Sequence, residues 1–166
     1  GAKILLELGK HVDVVVESMK PGSMKKMGLD YAAFQAVNPQ IVYCSISAFG
    51  QTGPKASEPG FDIVAQAASG IMDLTGDPNG PPVKSGIFLS DFVSGKDAFG
   101  AIMAALLHKE RTGEGQYIDI AMLQCMITMN PFVENAFLGS YITRTGNHSA
   151  SFAPYGVFRG PHNQYL

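Results

Sequence analysis

Apolar and polar residues follow two different periods along the chain, and the change of period predicts where strands and helices lie. The valine-rich run Val12–Glu17 is typical of a strand that is buried on both faces of a parallel sheet. Ile41–Ser47 predicts a second strand, and Lys3–Lys10 has the spacing of an amphipathic helix. Strands that alternate with helices favour an α/β fold, with a Rossmann-like, mostly parallel sheet and flanking helices.

Weaker signals complete this prediction. Asp30 is a candidate N-cap for a helix over Tyr31–Val37, which ends where Asn38 precedes a proline. We also expect helices over Pro21–Met27, Phe61–Ile71 and Met122–Met129, and strands over Gln116–Ile120 and Tyr155–Arg159. In the helix from Phe61, one apolar face is formed by Ile63, Ala67 and Ile71.

The strongest helical pattern follows Asp91 and ends at Thr112-Gly113. Its apolar residues form one stripe, namely Phe99, Ile102, Met103, Leu106 and Leu107. An aspartate just before a helix is most often an N-cap, a contact that contributes about 1 kcal/mol. The same position keeps a carboxylate ionised and nucleophilic, because the helix start carries partial positive charge and free N–H groups. The residues alone leave both roles of Asp91 open.

Composition narrows the class of protein. The chain has 166 residues, 46% of them hydrophobic and 16% charged, which suits one domain with a sizeable core. The net charge of −2 argues against a nucleic-acid partner, and no apolar run is long enough to span a membrane. Cys44 and Cys125 lie in apolar segments, as buried small hydrophobes do in a reducing cytosol. The cysteines therefore favour a cytoplasmic protein, and we expect no metal because no cluster has metal-ligand spacing.

Four segments stand out as a set. They read VVESMKPG (residues 15–22), NPQIVYCSISAFGQTGP (38–54), PGFD with a following QA (59–62 and 66–67) and ALLHKERTGEGQ (105–116). In this order and spacing they resemble the family III CoA-transferases, the carnitine- and bile-acid-inducible type to which formyl-CoA transferase belongs. The likeness runs almost from end to end of the chain.

The resemblance implies an enzyme that moves coenzyme A from an acyl-CoA donor to a small carboxylic acid. The attacking group would be Asp91, through an aspartyl anhydride and then an aspartyl-CoA thioester. Members of the family are longer and form homodimers of interlocked chains. We therefore expect this chain to be a central fragment that is weak or inactive alone. Residues 1–140 would belong to the large CoA-binding domain, and residues 141–166 to a linker and the start of the small domain.

The resemblance also implies contacts with coenzyme A. They fall on Ser18, Met19, Lys20, Lys26, Pro59, Gly60, Phe61 and Asp62. The family often has asparagine where this chain has Ser18, whose hydroxyl has a shorter reach. Lys26 would contact a phosphate, although an ordinary solvated lysine is equally compatible with its place. Gly60 would permit a close approach of the pantetheine arm.

Phe61 discriminates between two activities of the superfamily. The related α-methylacyl-CoA racemases have a histidine at this place, and phenylalanine cannot transfer a proton. A transferase is therefore favoured over a racemase or epimerase. A third alternative is a non-catalytic CoA-binding fragment.

Overall fold

The chain folds around a three-stranded parallel sheet. The computed structural model describes residues 1–130, 139, 143–149 and 152–166. The strands lie in sequence order and are β1 (Val14–Glu17), β2 (Val42–Ser47) and β3 (Tyr117–Ala121). Their register places Cys44 between Val16 and Ile118. The predicted α/β fold, a parallel sheet with flanking helices, is confirmed.

Helices connect and cover the strands. They are α1 (Ala2–Gly9), α2 (Ser23–Lys26), α3 (Tyr31–Val37), α4 (Asp62–Ala68), α5 (Leu89–Thr112) and α6 (Met122–Thr128). A short 3-10 helix follows at Pro161–Asn163. The predicted cap of α3 is present, because Asp30 Oδ1 accepts a hydrogen bond from the Ala33 N–H at 3.2 Å. Gly113 ends α5 in the left-handed conformation that glycine adopts without strain.

The core is centred on β2. Val42, Tyr43 and Cys44 are at most 1% exposed. Cys44 packs with Ala98 of α5, Ile120 of β3 and Cys125 of α6. Both thiols are free, and burial raises the pKa of Cys44 to about 11 and that of Cys125 to about 12. The prediction that the cysteines act as buried hydrophobes is confirmed.

The burial predicted for β1 was wrong, and the apolar stripe predicted on α5 is only partly covered. β1 is not covered on both faces, since it is an edge strand of the described sheet and Val16 is 55% exposed. The predicted stripe of α5 is split, because the side chains of Phe99 and Met103 are exposed. The helix packs on the sheet through Ala98, and Val93, Ala101 and Ile102 are partly buried beside it.

The C-terminal stretch forms little regular structure. The predicted strand over Tyr155–Arg159 is absent, and single bridges join His148 to Gly156 and Arg159 to Tyr165. The predicted domain boundary at residues 140 and 141 lies outside the described residues and stays a prediction. In the described ranges, no helix combines the length and apolar character that a membrane crossing requires.

Candidate active site

Asp91 lies within the first turn of α5. The helix begins at Leu89, two residues earlier than the sequence suggested, and Phe88 stands at the N-cap position. Asp91 is therefore not the cap of this helix. Its side chain is exposed and accepts no hydrogen bond from any residue that the structure describes. The carboxylate is free to contact a ligand.

The cap of α5 comes from another helix. Asp62, at the start of α4, accepts hydrogen bonds through Oδ1 from the Ser90 N–H at 2.8 Å and from the Ser90 hydroxyl at 3.0 Å. Asp62 and Ser90 are both buried. Because Asp62 satisfies an N–H group that the helix start leaves open, the helix does not require Asp91 for this purpose.

The electrostatic setting of Asp91 differs from the one expected for a helix terminus. The pKa of its carboxyl group is raised, first because neighbouring groups remove part of the hydration of this exposed side chain and second by the nearby carboxylate of Asp62. A helix start alone would lower that pKa. The raised pKa makes the ionised carboxylate a stronger base than a solvated aspartate.

Two clefts border Asp91 and a third shares lining residues with one of them; Phe61 lines all three. The first has a volume of about 470 Å³ and is lined by Phe61, Asp62, Ile63, Lys84, Gly86, Ile87, Phe88 and Asp91. The second, of about 370 Å³, includes Ser18, Ser47, Gly60 and Asp91 among its lining residues. The third, of about 230 Å³, runs past Met19, Lys20, Pro59 and Gly60. We call the three together the Asp91 groove.

The fold brings together most of the predicted site. Eight of the nine predicted residues line the Asp91 groove: Ser18, Met19, Lys20, Pro59, Gly60, Phe61, Asp62 and Asp91. Lys26 is the exception, since it lies on α2 and lines none of the three clefts. Its neighbour Lys25 lines a separate pocket beside Tyr31 and Tyr117.

Gly60 has a packing role besides any contact with a ligand. A Cβ atom at this position would lie 2.5 Å from the Ala48 Cβ, which is closer than real side chains approach. Ala48 lies directly after β2 and lines two of the clefts. A side chain at position 60 would therefore push the loop away from the wall of the groove.

Sequence reasoning missed several lining residues. Ser47 ends β2, lines two clefts and has a buried hydroxyl without a hydrogen-bond partner among the described residues. Lys84 and Phe88 come from the segment before α5. The signal for Ser47 was available, because ligands of parallel α/β sheets bind at the carboxyl ends of strands.

Comparison with known proteins identifies this arrangement. The family model for "CoA-transferase family III" matches residues 1–166, the whole of the chain. The chain belongs to the family III CoA-transferases. The resemblance noted in the sequence is thereby confirmed.

Relatives in this family have different named activities. The succinate–glutarate CoA-transferase of Agrobacterium fabrum is 40% identical over 159 residues, which cover 95% of this chain and 40% of the relative. The human succinyl-CoA:glutarate CoA-transferase is 40% identical over 96% of this chain and 37% of its own length. The acetyl-CoA:oxalate CoA-transferase of Acetobacter aceti is 38% identical over 98% of this chain and 43% of its own length.

Solved structures with a similar fold include two proteins of bacterial origin. A CAIB/BAIF family protein from Brucella suis superposes with a TM-score of 0.91 at 40% identity, over 99% of this chain and 44% of that one. Rv3272 from M. tuberculosis gives a TM-score of 0.76 at 33% identity, over 83% of this chain and 39% of that one. The chain thus spans about two fifths of the length of the family III relatives it matches.

Proposed function

We propose that the full-length protein carrying this chain transfers coenzyme A from an acyl-CoA donor to a small carboxylic acid, with Asp91 as the nucleophile. One observation carries the proposal: the carboxylate of Asp91, which accepts no hydrogen bond from the described residues, borders two clefts that also include Ser18, Gly60, Phe61 and Asp62, four of the residues predicted to contact coenzyme A. The named activities of the relatives support the reaction class, and succinate, glutarate and oxalate in those names support a small carboxylic acid as the acceptor.

The proposed reaction begins with the donor. A carboxylate oxygen of Asp91 attacks the thioester carbonyl, the carbon–sulfur bond breaks, and coenzyme A leaves as the thiolate. The product is a mixed anhydride between Asp91 and the acyl group. The thiolate then attacks the Asp91 carbonyl carbon, which releases the donor acid as its carboxylate and leaves an aspartyl-CoA thioester.

The acceptor reverses these steps. Its carboxylate attacks the aspartyl thioester, forms a second mixed anhydride and expels the thiolate again. The thiolate attacks the acyl carbonyl of the acceptor, and the new acyl-CoA leaves with Asp91 restored as a carboxylate. Each step exchanges one acyl bond for another, so the cycle needs no oxidant and consumes no water.

The groove offers suitable surroundings for these steps. Lys20 lines the third cleft and Lys84 the first, so positive charge is available for phosphate or carboxylate groups. Phe61 is 79% exposed, and Phe88 lies in the same cleft, so the region beside Asp91 has an apolar wall for the acyl chain. Coenzyme A is a substrate in this scheme, and no metal is required.

Phe61 also favours transfer over racemisation. Its ring lines the two clefts that contain Asp91, where a racemase would need a second proton-transfer group. We expect no exchange of the α-hydrogen of a bound acyl-CoA with deuterium from the solvent. Rapid α-deuteration without CoA exchange would instead support the racemase alternative.

Trapping the intermediate tests the proposal. The full-length protein is incubated with an acyl-CoA and treated with hydroxylamine, and its peptides are examined by mass spectrometry. We expect a hydroxamate on Asp91, because hydroxylamine attacks both the anhydride and the aspartyl thioester. Asp91→Asn should abolish the adduct and lower kcat by about 10³-fold or more.

The matched control is Glu110→Gln, a carboxylate-to-amide change at an exposed position near the other end of α5. This variant should give the wild-type adduct and rate. An unmodified Asp91 in a turning-over wild-type enzyme would exclude covalent catalysis by this residue. The 166-residue chain alone should be weak or inactive, since about three fifths of the length of its relatives lies outside it.

A further inference from the structure

Gln66 is a fully buried polar side chain whose amide is hydrogen-bonded at both ends. Its Nε2 group donates to Asp62 Oδ2 at 2.7 Å, and a longer contact of 3.4 Å reaches the carbonyl oxygen of Ile87. Its Oε1 atom accepts from the Ser85 N–H at 2.8 Å. A buried amide is costly unless such partners are present, and here they are supplied by α4 and by the segment that precedes α5.

These contacts connect two parts of the chain beside Asp91, namely Asp62 at the start of α4 and the segment before α5. Ser85 and Ile87 belong to the irregular segment 84–88, which forms a wall of the first cleft and leads directly into α5. Asp62, the other partner, caps α5 through Ser90. One amide group therefore fixes the wall beside the nucleophile and also the carboxylate that holds the helix start.

We propose that Gln66 is a positioning residue for the reaction of Asp91. It acts through Asp62 and the segment 84–88, and its amide holds the first turn of α5 and the facing wall at the separation that the bound thioester requires. This inference rests on the proposed function. It assigns a role in the chemistry to a side chain that is 0% exposed and contacts no substrate.

The chemistry of the partners explains why an amide is needed here. Asp62 Oδ2 requires a donor, and the Ser85 N–H requires an acceptor. An apolar side chain would leave both groups unpaired, and a carboxylate would supply only the acceptor. With an apolar side chain at position 66, α4 would still pack against α5 and α6 through Ala65, but the segment 84–88 would lose its hydrogen bond to α4.

Gln66→Met tests the role at nearly constant volume. In the full-length enzyme we expect kcat to fall by about 10- to 100-fold, the scale of a displaced reacting group, while KM for the acyl-CoA changes much less. Gln35→Met, an exposed glutamine on α3, is the control and should have the wild-type kcat. A folded Gln66→Met enzyme with the wild-type kcat would refute the proposal.

Gln66→Glu gives a readout that does not depend on the methionine variant folding. When protonated, the new carboxyl group can donate to Asp62 and accept from Ser85, as the amide does. When ionised it cannot donate, and it repels Asp62. The charged groups that face this region are Asp62 on α4, Asp91 on α5 and Lys84 on the intervening segment.

We therefore expect the kcat of Gln66→Glu to decline as the pH rises, by up to about tenfold per pH unit above the pKa of the new group. The wild-type enzyme lacks that decline. A variant profile parallel to the wild type would refute the positioning role. Failure of the proposed function is distinguishable, because the wild-type enzyme itself would then yield no hydroxamate on Asp91.

Discussion

At the scale of single residues, the reactivity of Asp91 depends on a second carboxylate. Asp62 is buried and tied to Ser90 and Gln66, so its charge stays in a fixed place. That charge contributes to the raised pKa of Asp91, although the partial loss of hydration contributes more. An ionised Asp91 is required for attack on a thioester, so the rate should fall where acid protonates it.

The acid side of the pH profile should respond to Asp62. In Asp62→Asn the neutral amide no longer raises the pKa of Asp91, while its oxygen can still accept from Ser90. A lower pKa keeps Asp91 ionised to lower pH. The acid limb of kcat/KM should therefore move to lower pH, even if the rate on the plateau drops. An acid limb that stays in place or moves upward would contradict this assignment.

At the scale of helices and strands, the turn between α5 and β3 is held by close backbone packing. A Cβ atom at Gly115 would lie 2.2 Å from the Ile41 carbonyl oxygen, a distance that no side-chain rotation can relieve. The turn aligns β3 with β2, and Asp119 of β3 in turn accepts a hydrogen bond at 2.8 Å from the Gln51 N–H in the loop that precedes Gly60.

Gly115→Ala should therefore destabilise the protein. We expect the free energy of unfolding, measured by chemical denaturation, to fall by about 1–3 kcal/mol or more. Gly100→Ala is the matched control, because a Cβ atom inside α5 at that position meets nothing within 4 Å. Alanine there should raise stability by about 0.5–1 kcal/mol. Equal effects of the two substitutions would show that the close contact is unimportant.

The strands and most helices were predictable from sequence because their signals are local. The apolar residues of β2 indicate a buried strand, and this strand lies in the core. Asp30 directly precedes α3, which is the usual place of an N-cap. The cap of α5 was not predictable, because Asp62 and Ser90 are 28 residues apart and only the tertiary fold brings them together. Local reasoning therefore considered Asp91 as a possible cap and placed the helix start too late.

The buried face of α4 was missed for a similar reason. The apolar period pointed to Ile63, which is 52% exposed, whereas the face toward the core includes Asp62 and Gln66. Because Asp62 and Gln66 are polar, the buried face of α4 does not show up in the pattern of apolar residues. The resemblance to a family pointed to eight residues that line the Asp91 groove, whereas the phosphate contact expected of Lys26, which lies on α2 outside the groove, stays a prediction.

At the scale of the whole molecule, large apolar side chains remain exposed on the outer face of α5 and on α1. They are Phe92, Phe99, Met103 and Leu107 on the first, and Ile4, Leu5 and Leu8 on the second. Surfaces of this kind promote association when nothing covers them. The edge of β1, with Val16 exposed, adds a further place where another chain can attach.

The 166-residue chain should consequently associate in solution when prepared alone. Sedimentation velocity should show species larger than the monomer that increase with protein concentration. The double substitution Phe99→Gln and Met103→Gln should shift the distribution toward the monomer, because it removes apolar area from the outer face of α5. A strictly monomeric chain at all concentrations would contradict this expectation.

The capping of α5 by a residue of α4 affects how the protein responds to substitutions. When the N-cap residue directly precedes its helix, the cap and the helix move together. Here the first turn is completed by α4, so a small shift between two helices breaks the bond from Ser90 to Asp62 and releases the turn that bears Asp91. Substitutions far from the groove that separate α4 from α5 should therefore lower the catalytic activity while the protein remains folded.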